Sequence, residues 1–315
     1  MTTVHFPDND IHEPRPLDLG PFVYGGNIIG WTLIADKTGD LLDDFLRQGG
    51  RAIDTADNYT EWVEGGTTGT SETVLGEWLR TPGKRQQVIL GSKVGLSAAR
   101  KGRRRDNILT ALDDSLRRLG TDHLDIYYGH KDDPETDLLE TLTTFHELVR
   151  QGIVRRIGYS HLSPERYAEI RRLTREHGLT PITVFQHDYS IVSHKTLDED
   201  YGELTGDGKV QVLGYHAMAS GFLSGKYLDP KLWTEHTNKI RGLIDDARAQ
   251  AFLKALHAIA SKHGVSPAAV SLAWFRTRPI KVVPLASARD SRQLSSLFES
   301  TRVHLDEDDR RALVW

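Results

Sequence analysis

SLRRLGTDHLDIYYGHKDD, residues 115–133, contains one full period of the pattern that decides the fold. Its first residues close an amphipathic helix, since Ile108, Leu109, Leu112, Leu116 and Leu119 recur every three to four positions and share one face. Gly120 stops that helix, because glycine enters the left-handed conformation at little cost. Leu124–Gly129 follows as an apolar run of strand length, with His130 at its end. The same alternation extends in both directions. Runs at 22–25, 51–55, 87–92, 156–160, 183–186, 210–215 and 280–285 bring the strands to eight. Helical stripes lie between them: Leu138, Leu142, Phe145, Leu148 and Val149; Tyr167, Ile170 and Leu173; Phe252, Leu253, Leu256, Ile259 and Ala260. Ser163-Pro164 reads as an N-cap with proline in the first turn, and Gly152, Gly178 and Gly264 read as further helix stops. Eight βα units predict a single α/β domain over 1–315, a (β/α)8 TIM barrel. An open doubly wound sheet uses the same alternation, but YGGNIIG (24–30) lacks the G-x-G-x-x-G fingerprint, so its glycines read as turn residues. The longest irregular stretch, 217–245 after the seventh strand, is expected to be a lid or binding loop.

Composition narrows the function. A net charge of -4 with 27% charged residues supplies no basic field for nucleic acid or a membrane surface. No run of about 18 apolar residues is present to span a bilayer. The absence of cysteine removes disulfides, thiol nucleophiles and thiolate metal sites together, and fits a reducing compartment. MTTVHFPDNDIHEPRP carries no apolar core of a secretory signal, so a cytoplasmic location is expected.

In such a barrel the active site forms at the C-terminal ends of the strands. Asp54 ends the second strand, Tyr59 follows in its loop, Lys93 ends the third and His130 the fourth. A phenol near its ordinary pKa of about 10 is a weak acid, and an adjacent ammonium favours its phenolate. Lys93 is therefore expected to pull the Tyr59 pKa down, Asp54 to hold Lys93, and His130 to orient a substrate oxygen, which together make a proton relay for a developing alkoxide.

These residues resemble the aldo-keto reductase family. The resemblance rests on IDTADNY (53–59), SETVLGEWL (71–79), GSKVG (91–95), SLRRLGTDHLDIYYGHKDD (115–133) and LVRQGIVRRIGYS (148–160), and covers nearly the whole chain. It implies an NADPH-dependent reduction of an aldehyde or ketone, with Asp54, Tyr59, Lys93 and His130 as the catalytic tetrad and Tyr59 as proton donor. It also implies a cofactor lying extended across the barrel mouth. Gly26, Asn27 and Asp54 would touch it. Ser160, His161 and Gln186 would bind its carboxamide, and Tyr215 would stack on the nicotinamide. The segment 215–227, with His216, Ala217, Met218, Ser220, Gly221, Leu223 and Lys226, would wrap the pyrophosphate. Ser287 and Arg289 would meet a 2′-phosphate and Gln293 the adenine; guanidinium geometry matches phosphate and so points to NADP over NAD. The sequence departs from the family at His161, where Asn is usual, and at His216 and Ala217, where Ser-Pro is common; an Asn expected soon after Gln293 is not evident.

Trp31, Trp62 and Trp233 are candidates for the rim of the substrate pocket. RKGRRR (100–105) follows the third strand and is either a steering patch for an anionic substrate or a solvated loop and helix start. His123, His130, His161, His187 and Asp132 lack the spacing of a metal site, and none is expected. The resemblance leaves a second reading open, a cofactor-binding regulatory subunit on the same barrel with little turnover.

Overall fold

The computed structural model describes residues 15–205, 208–232 and 240–315. Within them eight parallel strands close a barrel in which each strand lies between its predecessor and its successor. They are β1 (Val23–Gly25), β2 (Ala52–Asp54), β3 (Ile89–Val94), β4 (Leu124–Gly129), β5 (Val154–Ser160), β6 (Ile182–Asp188), β7 (Gln211–Tyr215) and β8 (Val282–Ala286). Val23 lies opposite both Ala52 of β2 and Leu285 of β8. The sheet therefore has no free edge, and the open alternative is ruled out.

The outer layer comprises α1 (Ala35–Arg47), α2 (Thr70–Leu79), α3 (Arg105–Leu119), α4 (Leu138–Arg150), α5 (Pro164–Glu176), α6 (Ala249–His263), α7 (Pro267–Trp274), α8 (Ser291–Phe298) and α9 (Glu307–Ala312), with shorter helical turns between. The expected punctuation is present. Ser163 Oγ accepts from Arg166 N at 3.2 Å, and Gly120, Gly152, Gly178 and Gly264 all have φ between 60° and 72°. Two features depart from the sequence reading. β3 runs two residues past 92, so Lys93 lies inside the strand. A small antiparallel hairpin, Leu96–Ser97 against Arg100–Lys101, follows it. The described part of the stretch after β7 is a series of short 3₁₀ turns up to Leu232 and, further on, the one-turn helix Arg241–Ile244. Trp233 lies outside the described residues.

Strand alternation decides what faces the barrel axis. Val23, Ala52, Ile126, Tyr128, Val184 and Leu213 form an inner cluster, sealed below by Leu17 and Leu19. Leu17 is pinned there by Gln211, which accepts from its N–H at 2.7 Å and donates to its carbonyl at 2.9 Å. Gly158 faces Tyr128 in register; a Cβ on it would come within 2.2 Å of the Tyr128 ring. Only glycine lets that ring occupy the axis. No helix among the described residues is long and apolar enough to cross a membrane.

Candidate active site

Parity that buries Ala52, Ile126 and Val184 at one level carries Asp54, Tyr128 and Gln186 inward at the next. The ladders set Asp54 opposite Gly91, Lys93 opposite Tyr128, and Gln186 opposite Ser160. Asp54, Lys93, Ser160 and Gln186 are all at most 2% exposed. Lys93 Nζ donates to Asp54 Oδ2 at 2.5 Å, to the Thr55 carbonyl at 2.7 Å and to the Tyr59 hydroxyl oxygen at 2.6 Å. All three ammonium protons are thus directed, and Tyr59 is reached through the loop that leaves β2. His130 continues the inward parity of Tyr128 past the end of β4, its ring edge-on to Tyr59 at 5.9 Å. The four side chains chosen from the sequence therefore converge.

The electrostatics correct one expectation. Tyr59 is held well above the usual phenol pKa, not below it. Removal of its hydroxyl end from water is the main cause, and the Asp54 carboxylate adds to it. The ammonium that was to favour the phenolate is already neutralised by Asp54, so Tyr59 is a firmly protonated donor. Burial likewise pushes Asp54 up and Lys93 down, each opposed by the other's charge. Burial and the Lys93 charge hold His130 well below the usual imidazole range, so it is neutral. Its Nδ1 has no partner among the described residues.

Behind the relay lies a polar layer that the sequence did not flag. Glu72 accepts from Ser92 Oγ at 2.5 Å and from Arg118 Nε at 2.7 Å. Asp57 beside it is 2% exposed, with Oδ1 unpartnered among the described residues. Burial first, then the charges of Glu72 and Glu61, push the Asp57 carboxyl up to about 8. The folded state therefore keeps a proton that the unfolded chain releases near pH 4. Stability falls between about pH 4 and pH 8, by up to about 1.4 kcal/mol per unit. Asp57→Asn is expected to remove that slope, so that denaturant melts of variant and wild type diverge as pH rises through this window. Parallel pH profiles would contradict it. The same loop stores strain: Thr60, β-branched, has φ 81°, a conformation that costs about 1–3 kcal/mol.

The other candidates are spread over the loops that follow β1, β5, β7 and β8. Ser287 Oγ donates to the Gly25 carbonyl at 2.7 Å and lies 3.2 Å from Asn27 Oδ1, which joins the ends of β8 and β1. A Cβ on Gly26 would meet the Asp54 carbonyl oxygen at 2.9 Å. Arg289 is exposed at the start of α8 and its guanidinium has no partner among the described residues, while its N–H donates to Gln293 Oε1 at 3.0 Å. After β7, His216, Ala219, Ser220 and Gly221 have φ of 56°, 44°, 53° and 91°. Two N–H groups of this run are spent inside the loop, that of Ala219 on the His216 carbonyl and that of Gly221 on the Met218 carbonyl. Met218 bonds through its carbonyl to Gly221 N and Leu223 N, Ala217 is buried, and Lys226 lies over the Tyr227 ring at 4.8 Å. His161, with φ 50°, has Nδ1 3.2 Å from the Tyr215 hydroxyl. His216 Nδ1 lies 3.5 Å from Asp188. The two unusual histidines are thus tied to neighbours at the lip.

Trp62 is 49% exposed and edge-on to Tyr59 at 5.8 Å. Trp31 is 39% exposed on the loop after β1, and no ring contact joins it to the relay. Three of the five cations in the basic run are engaged within the fold. Arg103 is buried with Nη2 3.4 Å from Asp132 and its guanidinium over Tyr159, Arg100 pairs with Asp114, and Arg105 pairs with Glu147. That favours the loop-and-helix reading over substrate steering. No three His, Asp or Glu side chains among the described residues are grouped to hold a metal.

Comparison with known proteins agrees with this architecture. Residues 21–314 match the family model of the Aldo/keto reductase family. Protein tas of Escherichia coli is 31% identical over 295 residues, 85% of each chain. Aldo-keto reductase YhdN of Bacillus subtilis is 28% identical over 95% of this chain and 88% of its own. L-glyceraldehyde 3-phosphate reductase of E. coli is 28% identical over 83% and 74%.

Proposed function

This chain belongs to the aldo/keto reductase family, and from that premise we propose that it is an NADPH-dependent oxidoreductase that reduces an aldehyde or ketone to an alcohol. The observation that carries the reading is the buried chain from Asp54 through Lys93 to a protonated Tyr59 at the mouth of the barrel.

When bound, NADPH supplies the hydride. Everything else falls to the side chains. Tyr59 gives its proton to the developing alkoxide, and the Lys93 N–H already directed at its oxygen stabilises the phenolate left behind. Asp54 keeps Lys93 charged in a site where burial alone would discharge it. His130, neutral, presents an N–H to the carbonyl oxygen and so fixes its approach to Tyr59. Trp62, with Trp31 on the neighbouring loop, offers an aromatic wall to the substrate.

The cofactor residues suit a dinucleotide phosphate. Lys226, whose ammonium lies close to Gly221, is suited to the pyrophosphate, with the Ser220 hydroxyl on the same loop. Ser160 and Gln186, with His161 in place of Asn, would hold the carboxamide, and Tyr215 the ring face. Arg289, whose guanidinium has no partner among the described residues, is suited beside the N-terminus of α8 to a 2′-phosphate, where charge-assisted bonds are worth about 1.5–3 kcal/mol. Arg289→Leu should therefore weaken NADPH binding by about 10- to 100-fold and leave NADH nearly unaffected, as read by tryptophan quenching. Equal losses for both would remove the case for NADP.

The direct test is NADPH consumption across aldehydes, quinones and keto-sugars. Turnover above the cofactor's own slow oxidation supports a reductase. Tight NADPH binding with no turnover on any carbonyl would instead favour the regulatory subunit.

A further inference from the structure

One contact at the relay spans the whole barrel. β2 and β6 lie on opposite sides of the eight-stranded ring, yet Gln186 Nε2 donates to Asp54 Oδ1 at 2.7 Å. Both side chains are at most 2% exposed. The two oxygens of Asp54 are thereby divided: Oδ2 takes Lys93, with the Tyr59 hydroxyl at 3.5 Å, and Oδ1 takes Gln186. No other side chain donates to Oδ1 among the described residues.

We propose that Gln186 is a positioning residue of the proton relay: it holds Asp54 Oδ1 from across the barrel, so that Oδ2 stays directed at Lys93 and Tyr59. This is a task beyond the carboxamide contact given to Gln186 above, and its meaning for turnover rests on the reductase reading. The physical argument is one of desolvation. A carboxylate this deep keeps its charge only through the donors it faces: Lys93 and the more distant Tyr59 hydroxyl at Oδ2, and Gln186 at Oδ1. All three lower the proton affinity that burial raises, Lys93 most and the Gln186 amide next. The remaining ionisable groups around the pair are Tyr59 on the loop after β2 and Tyr128 from β4. Asp57 and Glu72 lie behind Lys93, and His130 faces it from the end of β4. None of these donates to Oδ1. Loss of the amide therefore favours protonation of Asp54, which in turn frees Lys93 from its partner.

The test uses Gln186→Met, which keeps length and loses the donor, and Gln186→Glu, which keeps length and polarity but sets a second carboxyl at Oδ1. In the protein without cofactor, the Asp54 carboxyl ¹³C resonance, assigned through Asp54→Asn, is followed against pH. The expected midpoint rises by about half to one unit in Gln186→Met, the equivalent of one hydrogen bond, and further in Gln186→Glu. With NADPH and a turned-over carbonyl, the acidic limb of the kcat/KM profile moves by the same amount. Unchanged midpoints in both variants, with only NADPH affinity reduced, would overturn the proposal and leave Gln186 a cofactor contact alone. Should the wild type fail to bind NADPH, the reductase reading fails, while the resonance still decides the role of Gln186.

Discussion

Tyr59→Phe lowers turnover by about 10²- to 10⁴-fold, the range that a positioned general acid supplies, and leaves NADPH affinity close to wild type. Phenylalanine keeps the ring that packs against Trp62 and His130 and deletes only the hydroxyl that Lys93 engages. The loss should fall on kcat rather than KM, because the deleted proton transfer belongs to the transition state. Since Tyr59 stays protonated well above pH 10, the wild-type rate should not decline between about pH 7 and 9 through deprotonation of this group. Stopped-flow single turnovers of both proteins across pH read both claims. Unchanged turnover in Tyr59→Phe would remove the tyrosine from the mechanism.

Lys93→Met is expected to cost both stability and turnover. It leaves the Asp54 carboxylate buried with only the uncharged donors Gln186 and, at 3.5 Å, the Tyr59 hydroxyl, and breaking one partner of a buried ion pair costs about 3–5 kcal/mol. The sign with pH is defined. Without Lys93 the folded-state pKa of Asp54 rises still further above its unfolded value, so the deficit is largest at neutral pH and shrinks as acid supplies the missing proton. Adding Asp54→Asn should recover most of the stability, because the stranded charge is gone, and none of the turnover. Urea melts of the single and double variants at pH 5 and pH 8 check this. A Lys93→Met protein as stable as wild type at pH 8 would mean that the pair is not desolvated as its burial indicates.

Much of the molecule was legible beforehand, for identifiable reasons. Gly120 and Gly264 marked helix ends because their conformation is a local property. The stripes of α3, α4 and α6 were visible because each helix buries one face. α7, by contrast, is buried on all sides from Ala268 to Trp274, so it shows no stripe and was missed. The hairpin after β3 escaped notice because its strands are two residues each. Boundary shifts of two residues at β3 moved Lys93 from the end of a strand into it without changing its inward parity.

For the site, residue identity and strand-end position selected Asp54, Tyr59, Lys93 and His130 by sequence alone, because strand parity and the polarity of a βα unit are local and repeat along the chain. The sequence also determined that eight such units exist. What depends on distance around the ring was decided only by the tertiary structure. Closure of β1 on β8 is one such fact. The bond from Gln186 to Asp54, 132 residues away, is another, as is the burial of Asp57 beside Glu72. The charge state of Tyr59 belongs with them. Nothing in the spacing of Asp54, Tyr59 and Lys93 reveals that one carboxylate neutralises the ammonium while burial withholds water from the phenol, since desolvation is set by everything packed around a group and not by its neighbours in the chain.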